Sequence, residues 1–201
     1  MRYLTDFADQ AVLLPLVLAV CAALWWQGWR RGALIWLGVV GLTFAAILTA
    51  KLVFLGCSPV FSPLDLYSPS GHVAAATVIA GGLAVILTGR LRSALPAALL
   101  AAVVIGMTRL VLGAHTVPEV IVGGVIGMGG ATALMQLTGP PPRLRIKPLV
   151  AVILIVMTLF HGLRLPAEAA IRHTAWTAAR LIPACREAPI YYQHRRAGDG
   201  F

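Results

Sequence analysis

Residues 33–55 have the sequence ALIWLGVVGLTFAAILTAKLVFL, and Lys51 is the one charged residue among them. About 20 predominantly apolar residues suffice for an α-helix to cross the hydrocarbon core of a bilayer. The stretch therefore predicts a membrane-spanning helix. The composition agrees, since 59% of the 201 residues are hydrophobic and only 11% are charged. An average soluble domain has about 25% charged residues, so the composition excludes a soluble protein.

Five other apolar stretches, separated by polar connectors, predict further spans. We expect an all-α, polytopic membrane bundle of about six transmembrane helices. The predicted spans are Gln10–Trp26, Ala33–Leu55, His72–Thr88, Ala94–Leu112, Val117–Leu137 and Pro148–Leu163. The chain divides into a six-span membrane domain, residues 1–165, and a basic, amphipathic C-terminal tail, residues 166–201.

The charge distribution predicts the topology. Lys and Arg number 16 against 7 Asp and Glu, for a net charge of +9. The first, third and fifth connectors (28–32, 89–93 and 139–147) hold seven Lys or Arg and no acid. Because basic connectors favour the cytoplasmic side, we expect both termini outside, although the arginines of the tail favour the opposite side. The positive charge thus points to topology and anionic membrane lipids, with no nucleic-acid partner.

Five polar side chains lie at or near the outer ends of the predicted spans: Lys51, His72, Arg109, His115 and Glu119. Polar groups at membrane depth are costly, so a group of them on one membrane face indicates a functional site. The third and fifth spans also begin on this face, and helix N-termini favour anions. Together these features predict an anion site.

Each member of this group also has a structural explanation. Either cation can extend its head group to the membrane interface. Thr116 and Glu119 fit a capping box, and Ser68-Pro69 fits an N-cap followed by a first-turn proline. A single histidine can be a buried residue with satisfied hydrogen bonds. The functional interpretation therefore depends on the whole group.

Two motifs contain these residues. One is Pro69-Ser70-Gly71-His72, and the other is Thr108-Arg109, five residues, His115, three residues and Glu119. They resemble the second and third signatures of the type-2 phosphatidic acid phosphatases, a superfamily of membrane lipid phosphatases and vanadium haloperoxidases. The third signature of that family has Ser-Arg, His and Asp at the same spacing.

A third motif resembles the first signature of the family, which is Lys, six residues and Arg-Pro. Here Lys51 is followed after six residues by Ser58-Pro59. Ser58 stands where the family has an arginine that contacts phosphate. Thr108 keeps the hydroxyl of the family serine, and Glu119 keeps the carboxylate on a side chain longer by one methylene. The resemblance covers about residues 33–140.

The resemblance implies a role for each residue. His115 would attack phosphorus to form a phosphohistidine, and Glu119 would hold the opposite ring nitrogen. His72 would protonate the leaving oxygen and then activate water. The implied phosphate-binding residues are Lys51, Ser70, Gly71 and Arg109, with Ser58 and Thr108 as accessory candidates.

The implied activity is that of a lipid phosphatase acting on a phosphate monoester or pyrophosphate. Asp65 and Glu119 are the acids near the outward loops, too few for a magnesium site, so we expect no metal and no cofactor. The family acts on phosphatidic acid, phosphatidylglycerol phosphate, undecaprenyl pyrophosphate and lipid A phosphates, and the sequence does not choose among them. We expect a bacterial inner-membrane protein whose active site faces the periplasm.

Two alternatives stay open. Phosphoryl transfer to a second lipid needs only a different acceptor for the phosphohistidine. A non-catalytic lipid-binding or transport protein is favoured by Ser58 and by a glycine-rich fifth span that permits close helix packing. However, polar residues that cluster at one end, and not at the midplane, favour an enzyme. The oligomeric state is not predicted.

A disulfide between Cys57 and Cys185 is one hypothesis, because the second connector and the tail would both face an oxidising compartment. The alternative is that both cysteines are unpaired and act as small hydrophobic residues. The bond would fold the basic tail over the catalytic residues and leave Cys21 unpaired in the first span. One of three arginines could then supply the cation missing at position 58: Arg172, Arg180 or Arg186.

Overall fold

The computed structural model of the protein describes residue 3 and residues 6–57, 61–163 and 167–179. This part of the chain folds into seven α-helices and contains no β-strand. The helices are α1 (Gln10–Trp26), α2 (Arg30–Gly56), α3 (Gly71–Thr88), α4 (Ala94–Val111), α5 (Val117–Thr138), α6 (Ile146–Phe160) and α7 (Ala167–Ala179). The predicted all-α, polytopic bundle is confirmed.

Four of these helices are long and apolar enough to cross a membrane: α2, α3, α4 with the short 3-10 turn before it, and α5. The other two predicted spans also occur as apolar helices, but α1 has 17 residues and α6 has 15. At 1.5 Å per residue α6 is about 23 Å long, short of the roughly 30 Å hydrocarbon core. Of the six predicted spans, four therefore meet the length and composition of a membrane span.

Helix α3 lies at the centre of the bundle and packs against α2, α4 and α5. Glycines on α5 allow the closest of these contacts. A Cβ atom on Gly127 would lie 2.6 Å from the carbonyl oxygen of Ala74, and one on Gly123 would collide with the carbonyl oxygen of Ser70. The glycine-rich fifth span thus brings α5 against the start and middle of α3, which positions the residues that begin both helices.

The connectors lie at two ends of the bundle. One end, which we call the basic end, comprises residues 27–32, 88–94 and 138–147. There the Arg145 N–H donates to the Gln27 side chain at 2.6 Å. The opposite end, which we call the site end, comprises residues 6–9, 61–72, 109–119 and 161–168, together with Lys51. These segments contact one another through side chains of all three predicted motifs.

Candidate active site

Lys51 lies near the end of α2 and is only 4% exposed. Its Nζ atom donates to Ser68 Oγ at 3.0 Å and to Glu168 Oε2 at 2.7 Å. A buried ammonium group is stable only with such partners. Lys51 therefore does not extend to the membrane interface, and its charge is held inside the site end.

Glu119 connects two segments of the site end, residues 61–72 and 109–119. Its Oε2 atom lies 2.8 Å from His115 Nδ1 and accepts from the Thr116 N–H at 3.1 Å. Its Oε1 atom accepts from the N–H groups of Tyr67 and Ser68, at 3.0 and 2.7 Å. The capping box with Thr116 is confirmed, and the same carboxylate also reaches the histidine. The capping box and the contact with His115 therefore occur together, through one carboxylate.

The arrangement of His115 sets its protonation state. Its side chain is 8% exposed, and burial lowers the pKa of the imidazole below its usual range, although the hydrogen bond and charge of Glu119 act the opposite way. The ring is therefore neutral at pH 7. Because the carboxylate can only accept, Nδ1 carries the proton and Nε2 keeps its lone pair. This tautomer leaves Nε2 as the basic, nucleophilic atom.

His72 occupies the second position of α3, where it faces a carboxylate that the sequence analysis did not include. His72 Nε2 lies 3.7 Å from Asp9 Oδ2. The other oxygen of Asp9 accepts from the Ala11 N–H at 2.9 Å and caps α1. An acidic residue at the outer end of the first apolar span was the sequence signal that could have identified it.

Two buried atoms of the predicted phosphate-binding residues lack partners. Ser70 Oγ and Arg109 Nε make no hydrogen bond with any described residue. Leaving a buried polar group unsatisfied costs about 1–3 kcal/mol, and such groups are uncommon. Gly71 follows Ser70 in the chain, and a Cβ atom there would be 3.3 Å from Lys51 Cε. Unsatisfied donors of this kind are suited to a ligand with acceptor oxygens.

The predicted N-cap at Ser68 is wrong. Helix α3 begins at Gly71, and its N-cap is Ser70, whose side chain makes no capping hydrogen bond. Ser68 is instead bound on both sides, since its hydroxyl accepts from Lys51 and its N–H donates to Glu119. These contacts hold the connector extended up to the start of α3.

The tail brings an acid to the site end, where the sequence analysis expected an arginine. Glu168, in the first turn of α7, contacts Lys51, and its Oε1 atom lies 3.4 Å from Ser68 Oγ. Arg172 Nε lies 3.7 Å from Glu168 Oε1, on a side chain that is more than half exposed. Arg180 and Arg186 lie outside the described residues. The cation expected from Arg172 is therefore engaged with Glu168.

Three further predictions concern residues at the margin of the site. Thr108 Oγ1 donates to the Ile105 carbonyl oxygen at 2.7 Å. Cys57 is disulfide-bonded, and Cys21 is a free cysteine. Ser58 and Cys185, the predicted partner of Cys57, lie outside the described residues.

Comparisons with known proteins cover this region. Residues 56–141 match the family model of the PAP2 superfamily. The chain is 28% identical over 186 residues to an uncharacterized 22.5 kDa protein in the cps region of Klebsiella pneumoniae, covering 87% of this chain and 89% of that protein. No solved structure matches the chain. The family match includes the second and third motifs, and Lys51 lies just before it.

Proposed function

Because residues 56–141 match the family model of the PAP2 superfamily, we propose that this membrane protein is a phosphatase that hydrolyses a phosphate monoester or pyrophosphate of a membrane lipid. The observation that carries the proposal is the His115–Glu119 pair at 2.8 Å, which holds a neutral imidazole within the electrostatic influence of Lys51 and Arg109. Members of the superfamily are generally phosphatases. The reaction would proceed in two steps through a phosphohistidine.

In the first step His115 Nε2 attacks phosphorus, and the bond from phosphorus to the lipid oxygen breaks. A neutral imidazole has a lone pair near pH 7 and needs no strong base. As the N–P bond forms, the ring becomes positively charged. The Glu119 carboxylate on Nδ1 stabilises that charge, as the carboxylate does in a Ser-His-Asp triad.

His72 acts as general acid and then as general base. It gives its proton to the lipid oxygen that leaves, and in the second step it takes a proton from the water that attacks the phosphohistidine. The products are the dephosphorylated lipid and inorganic phosphate. General acid–base catalysis of this kind typically contributes 10²–10⁴-fold. Asp9, 3.7 Å from His72 Nε2, faces the ring that carries the proton.

The negative oxygens of the phosphoryl group would bind to Lys51, Arg109, the Ser70 hydroxyl and the Gly71 N–H. Phosphoryl transfer depends mainly on positioning and charge stabilisation. The unsatisfied Ser70 Oγ and Arg109 Nε atoms support this assignment, since both lack a partner within the described part of the chain. Gly71 also begins α3, and N–H groups at a helix N-terminus favour phosphate.

The substrate class follows from the position of the site. The site end lies at the ends of four helices that are long enough to span a membrane, so a lipid head group can reach it. The seven Lys and Arg residues of the connectors at the basic end favour a cytoplasmic location for that end. The site would then face the periplasm if the protein lies in a bacterial inner membrane.

The test is phosphate release from a panel of lipid phosphates by the purified protein in detergent. We expect wild-type protein to release phosphate from at least one lipid and His115→Ala to release none. His173→Ala is the matched control, because His173 is exposed on α7. It should retain wild-type turnover. Near-normal turnover by His115→Ala would contradict the proposed mechanism.

A further inference from the structure

The most unusual feature of the site end is a carboxylate on a phosphate-binding cation. Helix α7 packs against α2 and places Glu168 Oε2 2.7 Å from Lys51 Nζ. The second oxygen of Glu168 lies 3.4 Å from Ser68 Oγ. Carboxylate and phosphate oxygens both accept short, charge-assisted hydrogen bonds from an ammonium group. Glu168 thus makes the contact that a phosphate oxygen of the substrate would make.

The charge of Glu168 also acts on other groups of the site. Its carboxylate interacts electrostatically with Arg109 and with His115. Burial raises the pKa of Glu168, but the charge and the hydrogen bond of Lys51 outweigh this, and the pKa lies below its usual range. Glu168 is therefore an anion at neutral pH, close to groups that we assign to the phosphoryl group.

The two partners of this ion pair differ in their access to water. The Lys51 side chain is 6% exposed, whereas the Glu168 side chain is 44% exposed. Lys51 is also held by Ser68, which in turn donates its N–H to Glu119. When the pair separates, the partner that can move into water at low cost is therefore Glu168.

On the basis of the proposed function, we propose that Glu168 is an internal competitor for the substrate phosphate. Its carboxylate occupies the Lys51 side of the phosphate site, and a lipid phosphate binds by displacing it. If the phosphate site is free of Glu168 for only a fraction of the time, its apparent affinity for phosphate is reduced in proportion to that fraction. Glu168 thus lowers the affinity for every phosphate ligand, including the inorganic phosphate that the reaction releases.

The test compares binding of orthovanadate, a phosphate analogue, to wild-type protein and to Glu168→Gln. The variant keeps the size of the side chain and removes its charge. Asp65→Asn is the matched control, since Asp65 is an exposed acid in the connector at the same end. Charged hydrogen bonds are strong, but partial exposure weakens them, so we expect Glu168→Gln to bind vanadate about three- to tenfold more tightly. Asp65→Asn should bind it as the wild type does.

Two further measurements keep the outcomes distinct. Glu168→Ala should tighten binding as Glu168→Gln does, which separates loss of the carboxylate from any effect of the new amide. Lipid phosphate hydrolysis is measured on the same preparations. If all proteins bind vanadate equally, or the Glu168 variants bind it more weakly, the proposal that Glu168 competes with phosphate is wrong, while the proposed function stands. If none binds vanadate and none hydrolyses a lipid phosphate, both proposals fail.

Discussion

The two ends of the bundle carry the same types of cation in opposite surroundings. At the basic end, all seven cations are exposed: Arg30, Arg31, Arg90, Arg92, Arg143, Arg145 and Lys147. At the site end, Lys51 is buried and Arg109 is partly buried, and carboxylates act on both of them. Every acidic residue in the described part of the chain lies at the site end. The burial of a charged side chain therefore indicates more about its role than the sign of its charge does.

Physical chemistry explains the difference. An exposed arginine keeps its hydration, so it biases topology at little cost and needs no partner. A buried ammonium loses its hydration and needs hydrogen bonds from the protein or from a ligand. Substitutions at the two ends should consequently have very different effects on catalysis.

The largest difference is expected between Lys51→Met and Arg92→Met. Lys51→Met keeps an unbranched side chain in a buried position but removes a charge from the phosphate site. Removing one donor that stabilises charge in the transition state typically costs about 10²–10³-fold in turnover. Lipid phosphate hydrolysis should fall by about 100-fold in Lys51→Met and stay near wild type in Arg92→Met, because Arg92 is exposed. Equal losses of hydrolysis in the two variants would contradict the claim that only the buried cation at the site end acts in catalysis.

A smaller effect is expected for Asp9→Asn. Asparagine is as good an N-cap as aspartate, so α1 should stay intact while the charge facing His72 is lost. If Asp9 supports proton transfer by His72, hydrolysis of an alkyl lipid phosphate should fall by about tenfold. Hydrolysis of an aryl phosphate, whose leaving group needs less protonation, should change little. A similar loss on both substrates would indicate that Asp9 acts through the phosphate site instead.

The smallest effect concerns pH. A histidine with a lowered pKa stays neutral at lower pH than an ordinary histidine, so the nucleophile should persist as the solution is acidified. The ring resonances of His115, assigned by comparison with His115→Ala, should titrate with a midpoint below the usual histidine pKa of about 6.5. A midpoint at or above about 6.5 would contradict this, because it would mean that Glu119 raises the pKa of His115 by at least as much as burial lowers it.

Much of this structure could be predicted because it depends on local pattern. The apolar stretches occur as helices, and the Thr116–Glu119 capping box forms at the predicted spacing. The His115–Glu119 contact also follows from local geometry, since the two residues are four positions apart at the start of a helix. Residues three or four positions apart at a helix N-terminus have few possible relative positions, so their contacts can be predicted from the sequence.

The contacts missed by the sequence analysis join residues far apart in the chain. Glu168 is 117 positions from Lys51, and Asp9 reaches His72 only because α1 docks beside α3. No periodicity or spacing specifies such pairs, because they depend on how complete helices pack. Ser68 was assigned to the wrong role for a related reason. The sequence has the capping pattern, but the Ser68 hydroxyl binds Lys51 and the Ser68 N–H binds Glu119, two residues of other helices.

The central claim is that His115 forms a covalent bond to phosphorus. The most direct measurement mixes the purified protein with a substrate lipid labelled on its phosphate, stops the reaction at neutral or alkaline pH, and locates the label by peptide mass spectrometry. The account predicts an acid-labile phosphoryl group on His115, present in wild type and in His173→Ala and absent from His115→Ala. Label on another residue, or hydrolysis of the lipid by His115→Ala at the wild-type rate, would contradict it.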